Sequence, residues 1–357
     1  MDAKLILKHM GKFSWLLIFI PISIYYGFYT HETVPTVITT ILAIIPLAAA
    51  IGYATEELVL HLNPAWGGLI NATFGNIIEL IVAGLALQRG LIELVQASIV
   101  GSILGNILLL MGLSIFAGGL RHKDQCFNAR TAGVSSTMLI IAIAGLALPT
   151  VYYYAYNPPF QKVQILSDAV ALVLALTYIA GLLFSLKTHK HLFDSGEAIK
   201  EHEKTSLTKK DAILLLVITT GIAALLSEIL VGNIEHAGES IGWSQTFIGA
   251  IVVAIIANVA EKYSAITFGA KNKLDVSLEI GMGSATQIAL FVVPLLVFLS
   301  QFNGYEFTLV FTIFELVCML FAVLIVNDLS SDGVCNWLEG VQLIAVYFII
   351  AIIFYFV

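Results

Sequence analysis

The sequence predicts an all-α polytopic membrane protein with about eleven transmembrane helices, arranged as one extra N-terminal helix plus two inverted five-helix repeats. Of its 357 residues, 59% are hydrophobic and 11% are charged, and the mean hydropathy is +0.95, whereas about a quarter of a soluble domain is charged. Apolar stretches of roughly 20 residues, the length that crosses a bilayer core, recur along the chain. A short acidic motif occurs twice, at 76–79 and at 258–261, with a constant offset of 182.

Eleven apolar stretches are the predicted spans. The first begins at Phe13 and leads into an aromatic run at 25–29 rather than a small-residue cleavage site, which predicts a retained helix and not a signal peptide. The predicted spans lie at about 13–29, 36–53, 66–88, 91–116, 132–148, 165–186, 212–231, 244–270, 276–298, 307–326 and 337–356.

Composition divides the chain into four segments. Residues 1–33 hold a basic N-terminal segment and the first span, 34–186 the first five-helix repeat, 187–211 a charged linker, and 212–357 the second five-helix repeat. The linker is expected to form a surface helix because charged residues recur four apart, although a solvated connector remains an alternative. These residues are Glu197 with Glu201 and Lys200 with Lys204. After span seven, we expect a solvated loop carrying Glu235, His236 and Glu239.

Basic residues in short loops predict the orientation. The N terminus, residues 121–130, the linker and residues 271–273 fall on one side if every span crosses, and the positive-inside rule makes that side the cytoplasm, with Arg89 as the main exception. Because each repeat holds an odd number of spans, the two motif helices are expected to run antiparallel. The prediction is an integral protein of a prokaryotic plasma (inner) membrane with a cytoplasmic N terminus.

The composition also argues against several classes. A formal net charge of −7 provides no basic face, so nucleic acid is not an expected partner. Cys126, Cys318 and Cys335 lie in or near apolar stretches without CxxC spacing, which indicates small hydrophobic side chains rather than a disulfide framework or zinc site. No cofactor is expected, the lipid bilayer is the surrounding partner, and a homo-oligomer is left open.

The repeated motif places acidic residues within the bilayer. Glu79 precedes Arg89, and Glu261 precedes Lys271, by ten positions, which is about 15 Å along a helix and places both carboxylates near the bilayer midplane. A carboxylate there costs roughly 2.5 to 3.5 kcal/mol on insertion scales, which predicts a functional role and not mere helix packing. Asn76 and Asn258 lie three residues earlier and add an amide oxygen beside each carboxylate.

Two such helices meeting at the midplane would present hard oxygen ligands, which suit Ca²⁺ better than a soft metal. Two nearby carboxylates repel each other once the metal leaves, so protons and Ca²⁺ would compete for the same groups. That competition predicts an antiporter.

Further polar and small residues are candidates for the cavity and its entrances. Cavity-lining or proton-pathway candidates are Ser102, Ser284, Gln287, Asn106, Gly75 and Ala257. Glu56 and Glu228 are candidates for guiding cations into vestibules, and Glu315 lies within span ten with no assigned partner. Close helix approach or local unwinding is expected at glycines near the motifs, namely Gly67, Gly68, Gly75, Gly101, Gly105, Gly281 and Gly283.

Two pairs of segments carry a family resemblance. The first pair is NATFGNIIEL at 71–80 with QASIVGS at 96–102, and the second is FIG at 247–249 leading to ANVAE at 257–261, with GSATQIAL at 283–290. They resemble the two signatures of the cation/proton exchangers, the Ca²⁺/H⁺ antiporter branch of the calcium/cation antiporter superfamily. The resemblance implies that Glu79 and Glu261 carry both the metal and the protons.

Two residues depart from the family pattern. Ala257 stands where the family usually has glycine, which could alter ligation by the backbone, and Lys262 stands where it usually has histidine. Lys262 either places a cation beside the site or points off the motif face and pairs with Glu279 or Glu228.

The prediction is therefore an antiporter that exports cytosolic Ca²⁺ against proton entry by alternating access. A sodium-coupled exchanger of the same superfamily, with or without K⁺, is the nearest alternative. An intramembrane hydrolase lacks support because the sequence has no HExxH and no paired transmembrane aspartates. A channel or scaffold would not require two inverted copies of one carboxylate motif.

Overall fold

The computed structural model describes residues 11–30, 32–62, 64–189, 206–304 and 307–357, which form a helical bundle with one two-stranded ladder. The helices are α1 Phe13–Tyr29, α2 Thr33–Leu60, α3 Pro64–Gly75, α4 Ile77–Gln88, α5 Ile92–Gly119, α6 Ala129–Tyr156, α7 Phe160–Thr188, α8 Lys209–Ile241, α9 Gln245–Ala257, α10 Val259–Ala270, α11 Leu274–Phe302, α12 Ile313–Leu329 and α13 Trp337–Phe356. The strands are β1 Gln125–Cys126 and β2 Val334–Cys335.

Length and composition identify which helices can cross a membrane. Within the described ranges, seven continuous helices qualify, namely α2, α5, α6, α7, α8, α11 and α13. Two bent pairs, α3 with α4 and α9 with α10, bring the number to nine if each pair is one span. The protein is therefore an all-α membrane protein, whereas the count of eleven spans and the inverted repeats stay predictions.

The two bent pairs break at the asparagines of the repeated motif. The axis turns by 52° between α3 and α4 and by 63° between α9 and α10. Asn76 (φ −109°, ψ 27°) and Asn258 (φ −106°, ψ 15°) adopt nearly the same nonhelical conformation at these breaks. Each starts the next helix through its carbonyl, which accepts from Leu80 N at 3.0 Å or from Lys262 N at 3.0 Å. One sequence pattern thus produces one local structure twice.

The tenth predicted span begins later than expected. Residues 307–312 are nonhelical, and α12 starts at Ile313. Their backbone is satisfied by neighbouring helices: Leu309 N donates to Ser167 Oγ at 3.0 Å and Phe311 N donates to Thr150 Oγ1 at 3.0 Å. Nonhelical backbone within an apolar bundle requires such partners. A helix prediction based on hydropathy does not take these hydrogen bonds into account.

Glu315 has a partner that the sequence did not reveal. It lies in the first turn of α12 and forms a capping box with Thr312, in which Glu315 N donates to Thr312 Oγ1 at 3.2 Å. The Glu315 carboxylate in turn accepts from Thr312 N at 2.9 Å. This arrangement satisfies the helix start, so Glu315 has a structural role there.

The predicted loop after span seven is wrong, because α8 continues without a break to Ile241. Glu235, His236 and Glu239 therefore lie on a helix. Glu239 and His236 are exposed and approach each other at 3.5 Å, while Glu235 accepts from Gln245 Nε2 at 2.5 Å. The helix ends at Gly242, which has a left-handed φ of 75°.

Helices α2 and α8 pack along one another, and α2 also fixes the start of α8. Glu57, buried on α2, accepts from Ser206 N at 3.0 Å and from Leu207 N at 3.0 Å. His61 Nε2 forms a hydrogen bond with Leu207 O at 2.9 Å. The predicted surface helix of the linker falls mostly on residues 190–205, which lie outside the described residues, as does the segment 1–10.

The three cysteines are free thiols. Cys318 and Cys335 are buried, whereas Cys126 is exposed on β1, which pairs antiparallel with β2. This ladder fixes the loop between α5 and α6, from which Gln125 Nε2 donates to Gly269 O at 3.0 Å.

Candidate cation site

The two motif glutamates occupy matching places at the helix breaks. Glu79 lies in the first turn of α4 and Glu261 in the first turn of α10, each three residues after the asparagine. A helix N-terminus stabilises a negative charge placed there. The two carboxylates are close enough to interact electrostatically. The end of α3 also reaches the second motif, because a Cβ built on Gly75 would lie 3.9 Å from Glu261 Oε1.

Asn76 joins the two repeats through side-chain hydrogen bonds. Its Nδ2 donates to Gln287 Oε1 at 2.8 Å, and its Oδ1 accepts from Ser284 Oγ at 3.1 Å. Asn106 Nδ2 donates to Ser284 Oγ at 2.9 Å, which extends the network back to the first repeat. Asn76 and Asn106 are almost fully buried. The network thus holds α3, α5 and α11 together at the breaks.

The second motif makes the corresponding contact. Asn258 Nδ2 donates to Ser102 Oγ at 3.4 Å and to Ala254 O at 3.1 Å. Asn76 with Ser284 and Asn258 with Ser102 are the same pair of positions exchanged by the offset of 182. Each asparagine therefore contacts the serine of the other repeat.

Several buried oxygen atoms around this network accept no hydrogen bond from the described residues. They are both carboxylate oxygens of Glu79, Oε2 of Glu261, Oδ1 of Asn258 and Oδ1 of Asn106. A buried acceptor without a donor costs about 1 to 3 kcal/mol, and more when charged. Such a concentration of unsatisfied acceptors favours a cation-binding role. A small cavity of about 10 Å³ adjoins Glu79 and is lined in part by Ser98 and Ser102.

The donor set consists of oxygen atoms. Among the described ranges, no group of three or more His, Cys, Asp or Glu side chains is placed to hold a metal ion. A cation bound by Glu79 and Glu261 would therefore need amide, hydroxyl, backbone or water oxygens to complete its shell. Hard cations such as Ca²⁺ accept these ligands readily.

Lys262 lies beside the site, so the alternative of pairing with Glu279 or Glu228 is wrong. It is 7% exposed, its Nζ donates to Ala254 O at 3.3 Å, and it interacts electrostatically with both motif carboxylates. Sequence position suggested otherwise, because residue i+1 of a straight helix points away from residue i. Here the flexible side chain of lysine reaches back past the break at Asn258.

The candidate vestibule residues lie elsewhere. Glu228 forms an ion pair with Arg89 at the end of α4, and both side chains are partly exposed. Glu56 is exposed on α2, while its neighbour Glu57 is buried and holds the start of α8. Ala257 ends α9 next to Asn258 and is partly buried. Sequence reasoning missed Glu57, whose only signal was its position beside Glu56.

The halves of the site are packed unequally. A Cβ built on Gly101 of α5 would lie 2.0 Å from Ala250 O of α9, so these two backbones touch. The matching residue on α11, Gly283, has nothing within 4 Å of such a Cβ. Helix α3 instead leans toward the end of α7, where a Cβ on Gly68 would meet Leu186 at 2.1 Å. Gly75, at the inner end of α3, is exposed.

Comparison with known proteins agrees with this architecture. The sequence profile of the family described as "sodium/calcium exchanger protein" matches residues 33–187 and 211–356. A Ca(2+)/H(+) antiporter of Aphanothece halophytica is 44% identical, with 96% of each chain covered. The Ca(2+)/H(+) antiporter ChaA of Bacillus subtilis is 44% identical over 87% of this chain and 89% of its own. The solved structure of native YfkE superimposes with a TM-score of 0.85 at 39% identity, covering 97% of this chain and 100% of that one.

The profile covers most of the chain, and these relatives match it nearly from end to end. The chain belongs to the sodium/calcium exchanger family of transporters, in the branch formed by the cation/proton exchangers.

Proposed function

We propose that this protein is a secondary active antiporter that exchanges cytosolic Ca²⁺ for external H⁺ by alternating access. The observation that carries the proposal is the meeting of Glu79 and Glu261, from separate copies of one motif, amid buried oxygens that lack donors. The names of its relatives, which are Ca²⁺/H⁺ antiporters, agree with it.

In the proposed cycle, Ca²⁺ binds to the Glu79 and Glu261 carboxylates, and Asn258 and Asn106 offer amide oxygens that accept no hydrogen bond from described residues. Asn76 positions the site, because both ends of its amide are hydrogen-bonded to the second repeat. When Ca²⁺ leaves, protons replace it on the same carboxylates, since two negative charges in a poorly solvated site repel each other. The transporter then returns loaded with protons.

The unequal packing supports access from one side. Helix α3 is separated from α11 at Gly283, whereas α9 packs against α5 at Gly101. Helix α3 begins at Pro64, shortly after His61, which is hydrogen-bonded to Leu207 O. The start of α3 therefore lies on the same side of the bundle as the end of the linker, and we expect that side to be cytoplasmic. We therefore propose that this conformation opens the site toward the cytoplasm.

Sodium-coupled exchange is the second candidate, because the matching family is described as sodium/calcium exchangers. The electrochemical driving force separates the two functions.

The test is ⁴⁵Ca²⁺ uptake into proteoliposomes, driven either by an acid-inside pH gradient or by an outward Na⁺ gradient. The expected result is uptake driven by the pH gradient and lost in both Glu79→Gln and Glu261→Gln. Glu239→Gln, which removes an exposed carboxylate on α8, is the matched control and should transport normally. Uptake driven by Na⁺ alone would assign the protein to sodium-coupled exchange, and wild-type rates in both mutants would eliminate the two-carboxylate mechanism.

A further inference from the structure

The cation site has two sides, one around Asn76 and one around Asn258, which the offset of 182 relates but which are not identical. Gln287 of the second repeat corresponds to Gly105 of the first, and Lys262 corresponds to Leu80. Gln287 contacts Asn76, so the side around Asn76 contains a glutamine where the side around Asn258 has only Gly105. The side around Asn258 instead contains Lys262, whose Nζ lies near Gly105.

The lysine fills the place that the missing glutamine leaves. On one side, Gln287 Oε1 lies 3.8 Å from a Cβ built on Gly75 and accepts from Asn76. On the other side, Lys262 Nζ lies 3.7 Å from a Cβ built on Gly105, the direction in which a side chain at that position would extend. The side chain of Lys262 is thus held inside the site and not at a surface.

The position of Lys262 sets the charge of the site. Its ammonium group interacts electrostatically with both Glu79 and Glu261, and within hydrogen-bond distance it donates only to Ala254 O among the described residues. When both carboxylates are ionised, as a bound Ca²⁺ requires, the ammonium leaves a net charge of −1 for an entering cation. Being covalently attached, the ammonium has a high effective concentration at the carboxylates and cannot diffuse away.

We propose that Lys262 is a specificity-determining residue that acts as a tethered monovalent cation, excluding Na⁺ and K⁺ while still admitting Ca²⁺. A free Na⁺ or K⁺ ion carries the same charge as the ammonium group. Replacing the ammonium beside the carboxylates therefore gains little electrostatic energy. A divalent cation interacts about twice as strongly at the same distance, which outweighs the repulsion from one ammonium. The inference rests on the proposed Ca²⁺ site of Glu79 and Glu261.

The test is equilibrium binding of ⁴⁵Ca²⁺ to the purified full-length protein at constant pH, with and without excess NaCl, using choline chloride to match ionic strength. Lys262→Met removes the charge and keeps an unbranched side chain. Its affinity for Ca²⁺ should rise by about tenfold, or about 1.4 kcal/mol, and NaCl should now compete. Lys262→Arg keeps the charge, so its binding of Ca²⁺ should stay insensitive to NaCl.

A double variant guards against misfolding of Lys262→Met. Gly105→Gln with Lys262→Leu gives the Asn258 side of the site the glutamine and leucine that the matching positions have on the Asn76 side, and it should show the same gain of affinity and of competition by Na⁺. Unchanged Ca²⁺ affinity and insensitivity to Na⁺ in the folded charge-removal variants would overturn the proposal. Binding is measured without a proton gradient, so a wild type that binds Ca²⁺ but is not driven by pH would refute proton coupling and leave this result intact.

Discussion

At the residue scale, the site depends on short polar side chains that connect the repeats. Ser284 accepts from Asn106 Nδ2 and donates to Asn76 Oδ1, so one hydroxyl satisfies groups on two helices. Asn76 in turn donates to Gln287. These bonds hold an otherwise unfavourable break in the helix, and they do not involve the carboxylates of Glu79 and Glu261, the proposed cation ligands.

We expect Ser284→Ala to weaken both stability and Ca²⁺ binding. Removing the hydroxyl leaves Asn106 Nδ2 without its acceptor in a fully buried place, which costs about 1 to 3 kcal/mol. Thermal unfolding in detergent and the KM for Ca²⁺ uptake measure the two effects. Ser240→Ala, which removes an exposed hydroxyl bonded only to the backbone of its own helix, should change stability by less than about 0.5 kcal/mol. Equal stability of the two variants would contradict the role of the network.

At the element scale, the arrangement of the bent helix pairs depends on where helix backbones come into direct contact. Gly101 allows α5 to lie directly against α9, and its counterpart Gly283 on α11 faces open space. On the side where α5 and α9 touch, Arg89 at the end of α4 also forms its ion pair with Glu228 of α8. The close contacts between helices thus lie on the side of the breaks where α4 ends and α9 begins.

Gly101→Ala and Gly283→Ala form a matched pair of substitutions. The first should destabilise the protein by about 1 to 3 kcal/mol through overpacking, because the new methyl group would meet the backbone of Ala250, which cannot rotate away. The second should be neutral or slightly stabilising, since alanine favours a helix by up to about 1 kcal/mol. Thermal unfolding of both variants checks the difference, and the reverse order of stability would disprove the packing asymmetry.

At the scale of the whole molecule, the proposed alternating-access cycle requires that the two halves exchange these packing states. Asn71 on α3 is exposed, whereas Val253, its counterpart on α9 at the offset of 182, is 4% exposed. The proposed opening toward the cytoplasm therefore lies along α3, and the face of α9 that carries Val253 is closed off from solvent.

Cysteine labelling tests which side is open. In a background where Cys126, Cys318 and Cys335 are replaced, Asn71→Cys should react with a membrane-impermeant maleimide added from the cytoplasmic side of oriented vesicles. Val253→Cys should stay unlabelled from either side in the same state. Labelling of Asn71→Cys only from the external side would reverse the proposed orientation, and fast labelling of Val253→Cys would contradict the closed packing of α9.

Much of the site could be anticipated from single residues, and the remainder could not. The pairing of Asn76 with Asn258 and of Glu79 with Glu261 follows from the sequence repeat, and these residues lie together in the structure. Lys262 could not be placed, because its reach depends on the bend at Asn258 rather than on helical periodicity. Glu315 looked like a charge within a span until the start of α12 turned out to be at Ile313.

Hydropathy and repetition are properties of linear order, so the amino-acid sequence alone was enough to identify an all-α membrane protein with a duplicated acidic motif. It also supplied candidate oxygen ligands, since each motif contains its own carboxylate and amide. The folded chain was needed to learn which serine each asparagine contacts, which half is tightly packed, and that Lys262 lies beside the two carboxylates. These depend on the angles at two helix breaks and on the contact of distant backbones, which no local pattern specifies.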